Sequence, residues 1–197
     1  MAILILMSAL VLAGAGMLFV GIRGLVTGRA TIYSGKWLLA LIALCFLPQL
    51  LNTFKLLPAF SPAALLNLLM YLFLLLVFWI VTKGYICFGV SDEMANAALK
   101  SVLEKLGLKH EQSLGSIRLE NGGIFQIAVQ DWVGTMQIKA KNRQAGAQLP
   151  GLISALSDYF AAFTGKIKSM PYWIYTICGA ILLTALALLL NIAARQS

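Results

Sequence analysis

LLLVFWIVTKGYICFGVSDE, Leu74 to Glu93, passes from side chains suited to hydrocarbon to a helix start suited to water, with Lys83 at the change. The residues up to Thr82 are apolar without interruption. Tyr85 to Val90 is β-branched and aromatic, the pattern of a strand, and Ser91 followed by Asp92 and Glu93 has the residue types of a helix N-terminus. This stretch predicts an integral membrane protein that carries a folded aqueous domain.

The rest of the chain agrees with that division. Of its 197 residues 60% are hydrophobic and 11% charged, against about 25% charged in an average soluble protein. All seven acids lie between Asp92 and Asp158, with seven of the fifteen bases. A polar island thus sits between apolar runs.

Four runs approach the roughly 20 residues needed to cross about 30 Å of hydrocarbon. They are Ala2 to Ile22, Trp37 to Phe54, Pro62 to Thr82 and Pro171 to Ala193. The second is the least uniform, because Pro48, Gln49 and Asn52 interrupt it. Ser61 and Pro62 suit the cap and first turn of the third, and Tyr172, Trp173 and Tyr175 form an interfacial aromatic group at the head of the fourth. The first run lacks a basic leader and exceeds the apolar length of a cleaved signal, so it reads as a retained span.

With four spans, thirteen Lys and Arg residues share the side of the large domain, and only Lys55 and Arg195 lie opposite. The excess of basic residues on cytoplasmic loops then predicts both termini outside and the domain in the cytoplasm. The Arg23 to Lys36 segment reads as a connecting loop on that side.

Residues 83–169 predict a two-layer α+β domain in the order β-α-β-β-β-α, an antiparallel meander covered by two helices. After the strand at Tyr85 to Val90, a helix buries Ala95, Leu99, Val102, Leu103 and Leu106 on one stripe and stops at Gly107. Ser116 to Lys141 alternates apolar and polar residues through turns at Asn121-Gly122-Gly123 and Asp131 to Gly134. Lys141 to Gln148 reads as a loop, and Pro150 as the opening residue of the closing helix.

Candidate chemistry is sparse. The four runs contain no Asp, Glu, Lys, Arg or His, the residues on which ion and proton pathways depend. Small residues on the first run (Ala9, Ala13, Gly16) and the last (Thr176, Ala180, Thr184) suit close helix packing. His110, the only histidine, reads as a loop residue; no metal-ligand spacing, phosphate loop or nucleophile motif is present. Cys87 reads as a buried strand residue, with S-acylation as the other reading of its juxtamembrane position.

Arg118, Lys139 and Lys141 alternate outward from neighbouring strands, with Arg143 just beyond, and Trp132 occupies a hairpin turn. These five residues are the candidate site for a protein partner or anionic lipid. Nucleic acid is not expected, since ten bases against seven acids over residues 83–169 give a net of only +3 and no aromatics interleave the bases.

The leading expectation is a non-enzymatic membrane scaffold or accessory subunit, without cofactor or metal, that binds a protein partner or a second copy of itself. The alternative is an oligomeric transporter or channel subunit using a membrane ligand path at Pro48, Gln49 and Asn52, where a broken helix would bare backbone carbonyls.

Overall fold

The computed structural model describes residues 2–56, 61–113 and 115–196. By its contacts the chain forms two compact units: Met1–Ile22, Lys36–Thr82 and Ile174–Ser197 make the first, and Arg23–Gly35 with Lys83–Trp173 the second.

The first unit is helical, built on α1 (Ala2–Thr27), α2 (Gly35–Leu56), α3 (Pro62–Thr82) and α6 (Met170–Gln196). Among the described residues three stretches are long and apolar enough to cross a membrane: Met7–Thr27, Pro62–Thr82 and Met170–Leu188. Helix α2 has 22 residues, and among the described residues its apolar stretch is Gly35–Pro48, shorter than a span. The sequence expectation of four spans is therefore met by three candidates.

Helices α1 and α6 approach closely where neither carries a side chain. A Cβ on Gly179 would lie 2.8 Å from the Gly14 carbonyl oxygen, and one on Gly14 would lie 2.9 Å from the Leu183 side chain. Lipid offers little hydrophobic drive for helix association, so this backbone proximity supplies dispersion contacts instead. Ala9 and Ala13 are buried as expected. Of the three small residues expected to pack on the last helix, Thr176 is half-buried and Ala180 and Thr184 are exposed, and the close approach runs through Gly179.

The second unit holds β1 (Thr31–Ser34), β2 (Tyr85–Phe88), α4 (Asp92–Lys105), β3 (His110–Ser113), β4 (Ser116–Leu119), β5 (Ile124–Gln130), β6 (Thr135–Ala140) and α5 (Arg143–Ala162). Its strands form one sheet in the order β1-β2-β6-β5-β4-β3, antiparallel throughout. The β3 to β6 meander begins at one edge and runs back until β6 pairs with β2.

Two of these strands were not expected. Residues 31–34 pair with β2 at one edge of the sheet, so most of the segment read as a connecting loop is structured: α1 continues to Thr27 and Gly28 ends it at φ +59°. The amide of Gly28 donates to the Gly24 carbonyl at 3.1 Å, closing the helix with a left-handed cap. At the other edge β3 includes His110, which is a strand residue and not a loop residue.

Helix α4 matches its sequence signals. The Ser91 hydroxyl accepts from the Met94 amide at 3.2 Å. At the far end Gly107 and Leu108 donate to Glu104 and Leu103, each at 3.0 Å, which satisfies two carbonyls a helix end would otherwise leave unpaired.

Helix α5 begins earlier than expected, at Arg143, and passes through Pro150. Asn142 fixes that start. Its Oδ1 accepts from Ala145 at 3.0 Å and from Ile124 at 3.2 Å, while its Nδ2 donates to Gly122 at 2.6 Å. A single amide therefore caps α5 and joins it to the β4-β5 turn.

Helices α4 and α5 pack on each other and on one face of the sheet. Ile32, Cys87, Ile117, Phe125, Ile127, Met136 and Ile138 occupy that inner face, with Ala95, Leu99, Val102, Leu152, Leu156 and Phe160 from the helices. Full burial leaves Cys87 out of reach of an acyl donor and pushes its thiol up to about 12.

Candidate interaction surface

The outer face of the sheet divides into two unlike halves. Cross-strand register places Thr31 opposite Phe88, Tyr33 opposite Ile86, and Phe88 opposite Thr135. On β2, Cys87 points inward and Phe88 outward, yet both are buried. Something covers the outer face here.

The cover is Tyr172, which is fully buried. Its ring meets Phe88 edge-on with centroids 6.4 Å apart, and Phe88 packs in turn on Tyr33 at 5.7 Å. The Tyr172 hydroxyl lies 2.9 Å from the Phe88 carbonyl, 3.0 Å from that of Arg29 and 3.0 Å from Thr31 Oγ1. One phenol proton serves the two carbonyls while Thr31 donates to the oxygen, so the group is satisfied without water. Gly24 makes room for the ring: a Cβ there would fall 2.0 Å from Tyr172 Cδ1. The interfacial aromatic expected at this position is a buried peg, whereas Trp173 is 53% exposed.

The other half, on β4, β5 and β6, is open. Arg118, Gln126, Ala128 and Gln130 are exposed, and their neighbours Ile117, Leu119 and Phe125 are buried on the opposite face. Register sets Gln126 opposite Lys139 and Arg118 opposite Ile124, while the Lys141 amide donates to Ile124 at 2.9 Å. Arg118 and Lys141 thus flank β5 at one end of the sheet, with Lys139 one row in. Arg143 is exposed in the first turn of α5 at the same end.

These four bases form the corner that alternation predicted. The two described ion pairs, Lys109–Glu120 at 3.6 Å and Lys168–Asp131 at 3.0 Å, involve none of them. One acid moderates the corner: Glu111 on β3 lies directly opposite Arg118. Its side chain faces the same way and lowers the local potential.

Trp132 is elsewhere. Its turn lies past Gln130, and seven residues of β5 at about 3.3 Å each separate it by roughly 20 Å from the Arg118 end. It is 75% exposed. The five candidate residues therefore form two sites at opposite ends of one hairpin.

Asp131 holds the second of these. Its carboxylate accepts from the Asp92 amide at 3.0 Å and from Lys168 Nζ at 3.0 Å. The amide hydrogen bond first, and then the lysine, keep the Asp131 carboxyl below its ordinary value.

Of the membrane candidates, Pro48 lies within α2, which continues unbroken to Leu56; the side chains of Gln49 and Asn52 lie outside the described residues. A helix break at Pro48, the basis of the transport reading, is absent from the described backbone. Near it, Asn67 donates to Thr53 and the Tyr71 hydroxyl to the Ala43 carbonyl at 3.3 Å. Both tie α3 to α2, the interhelical use of polar groups.

The His110 ring places Nδ1 3.1 Å from the Leu108 carbonyl. Among the described residues no three His, Cys, Asp or Glu side chains converge as a metal site.

Sequence reasoning missed Asn142 and Tyr172. Asn142 had the signal of a capping residue type before a helical stretch, masked by Pro150 as the apparent start. Tyr172 had none, because its partners are more than 80 residues away in sequence. Comparison with family models, curated proteins and solved structures gives no match.

Proposed function

We propose that the protein is a non-enzymatic membrane scaffold or accessory subunit whose α+β domain binds the acidic surface of a protein partner through Arg118, Lys139, Lys141 and Arg143. In this reading α2 is a fourth span, both termini are outside, and the domain faces the cytoplasm. The basic excess beside the apolar runs supports that orientation.

One observation carries the proposal: β4, β5 and β6 offer an outer face that neither α4 nor α5 covers, with four bases gathered at one corner among glutamines. Fixed strands hold the charges at set spacings, so a complementary partner gains specificity and encounter rate.

The test is recovery of bound protein after gentle-detergent purification from native membranes. Arg118→Glu, Lys139→Glu and Lys141→Glu together abolish it, while circular dichroism and thermal unfolding remain those of the wild type. Unchanged recovery with the triple variant removes the proposed surface. Glu111→Gln, which leaves Arg118 unopposed, strengthens binding by a severalfold drop in Kd at low salt. Labelling of Glu104 and Lys139 positions from the outside only would overturn the orientation.

A further inference from the structure

The Asp131 to Gly134 turn has a purpose the basic corner does not explain. An indole 75% exposed at a hairpin tip is costly in water, and here the backbone beneath it is fastened on three sides. Asp131 accepts from the Asp92 amide and from Lys168. The Gly134 carbonyl accepts from Gly89 at 2.8 Å and Val90 at 3.1 Å, and Lys168 in turn donates its amide to Gly89 at 3.1 Å. Gly134 also packs against Lys168: a Cβ at that position would lie 2.4 Å from the lysine Cβ.

These contacts tie the turn to two pieces of chain, the Gly89–Asp92 segment that opens α4 and, through Lys168, the segment entering α6. The apolar stretch Met170–Leu188 begins two residues after Lys168. Within the same unit Trp173 and Met170 are 53% and 45% exposed, and Lys166 and Lys168 precede them. Exposed indole, exposed apolar side chains and lysines at the head of a membrane-length helix form the composition of a bilayer interface, where the ring sits among headgroups and the ammonium meets phosphate.

We infer that the Asp131 to Gly134 turn is a membrane-interface anchor, in which Trp132 inserts at the headgroup level of the bilayer that α6 enters and the Asp131–Lys168 pair holds it there. The occupant is lipid, so this site acts independently of partner binding at the basic corner. It would restrain the sheet against the membrane at one end of the β5-β6 hairpin and leave the Arg118 end free for the partner.

The experiment uses the full chain with Trp37, Trp79 and Trp173 changed to Phe, reconstituted without any other protein in phosphatidylcholine–phosphatidylglycerol vesicles. Trp132 emission is expected to be shifted to the blue, shielded from acrylamide, and quenched most by lipids brominated near the headgroup. Emission typical of a water-exposed indole, quenched by acrylamide and indifferent to brominated lipid, overturns the inference. If the triple Phe chain does not fold, the difference between wild type and Trp132→Phe gives the same two readings. Asp131→Asn is expected to lose most of the lipid quenching with unchanged circular dichroism; undiminished quenching overturns the part given to the Asp131–Lys168 pair. Wild-type quenching in the Arg118, Lys139, Lys141 triple variant separates this site from the partner surface.

Discussion

The two halves of the outer sheet face share one alternation code and one set of strand pairings, but differ in what lies over them. On β1 and β2 the outward positions are Tyr33, Ile86 and Phe88, and Tyr172 closes over Phe88. On β4, β5 and β6 they are Arg118, Gln126, Ala128, Gln130 and Lys139, which neither α4 nor α5 covers. The closed half stabilises the domain and fixes the start of α6; the open half leaves charge in water for recognition. The two halves should therefore respond oppositely to mutation.

The largest effect belongs to the closed half. Tyr172→Ala removes a fully buried ring and leaves a cavity, at a cost of about 3–5 kcal/mol. Tyr172→Phe keeps the ring but loses the hydroxyl bonds, at a cost of about 1 kcal/mol. Chemical unfolding in detergent micelles measures both. Wild-type stability for the Ala variant would mean that the closed half is no more structural than the open one.

Next comes the junction that holds the open half to the helices. Asn142→Ala loses the α5 cap and the link to the β4-β5 turn, and is expected to cost about 1–2 kcal/mol. The same unfolding assay reads it, and recovery of bound partner should fall in parallel, because Arg118, Lys141 and Arg143 meet at this end.

The three reversals on the open face are each expected to change stability by no more than about 0.5 kcal/mol, since each side chain projects from the outer face without an ion pair among those described. A large stability loss there would show these bases to be structural and would erase the contrast between the halves.

The smallest effect is set by pH. Asp131 has its folded value lowered from 3.8, so its contribution is present above the unfolded value and is lost as pH falls through the folded one. Thermal unfolding of wild type and Asp131→Asn should therefore differ near neutrality and converge below about pH 3.8, the ordinary value of the carboxyl. Because this carboxyl is solvent-exposed, salt should narrow the gap.

Much of the fold was legible because its signals are local. The apolar lengths of α1, α3 and α6, the Ser91 cap, the Gly107 stop and the alternation of β4, β5 and β6 each depend on neighbours within a few residues. Strand β1 was less legible: Thr31-Ile32-Tyr33-Ser34 has strand-forming side chains, but four residues between two apolar helices carry too little periodicity to separate from a loop. The basic corner could be read because alternation places Arg118, Lys139 and Lys141 on one face. The separation of Trp132 from it follows from the same meander, since successive turns of an antiparallel sheet lie at opposite ends of the strand between them.

By itself, then, the sequence determined the partition between hydrocarbon and water, the helix ends and the polarity of each strand, all consequences of side-chain transfer energies and short-range hydrogen bonding. Tertiary structure alone decided that β1 crosses from the first helical segment to pair with β2 and that Tyr172 seals their outer face. It also decided that one amide, Asn142, and one carboxylate, Asp131, fasten opposite ends of the sheet. Those choices rest on contacts between residues far apart in the chain, whose energies exist only once the backbone has brought them within a few ångströms.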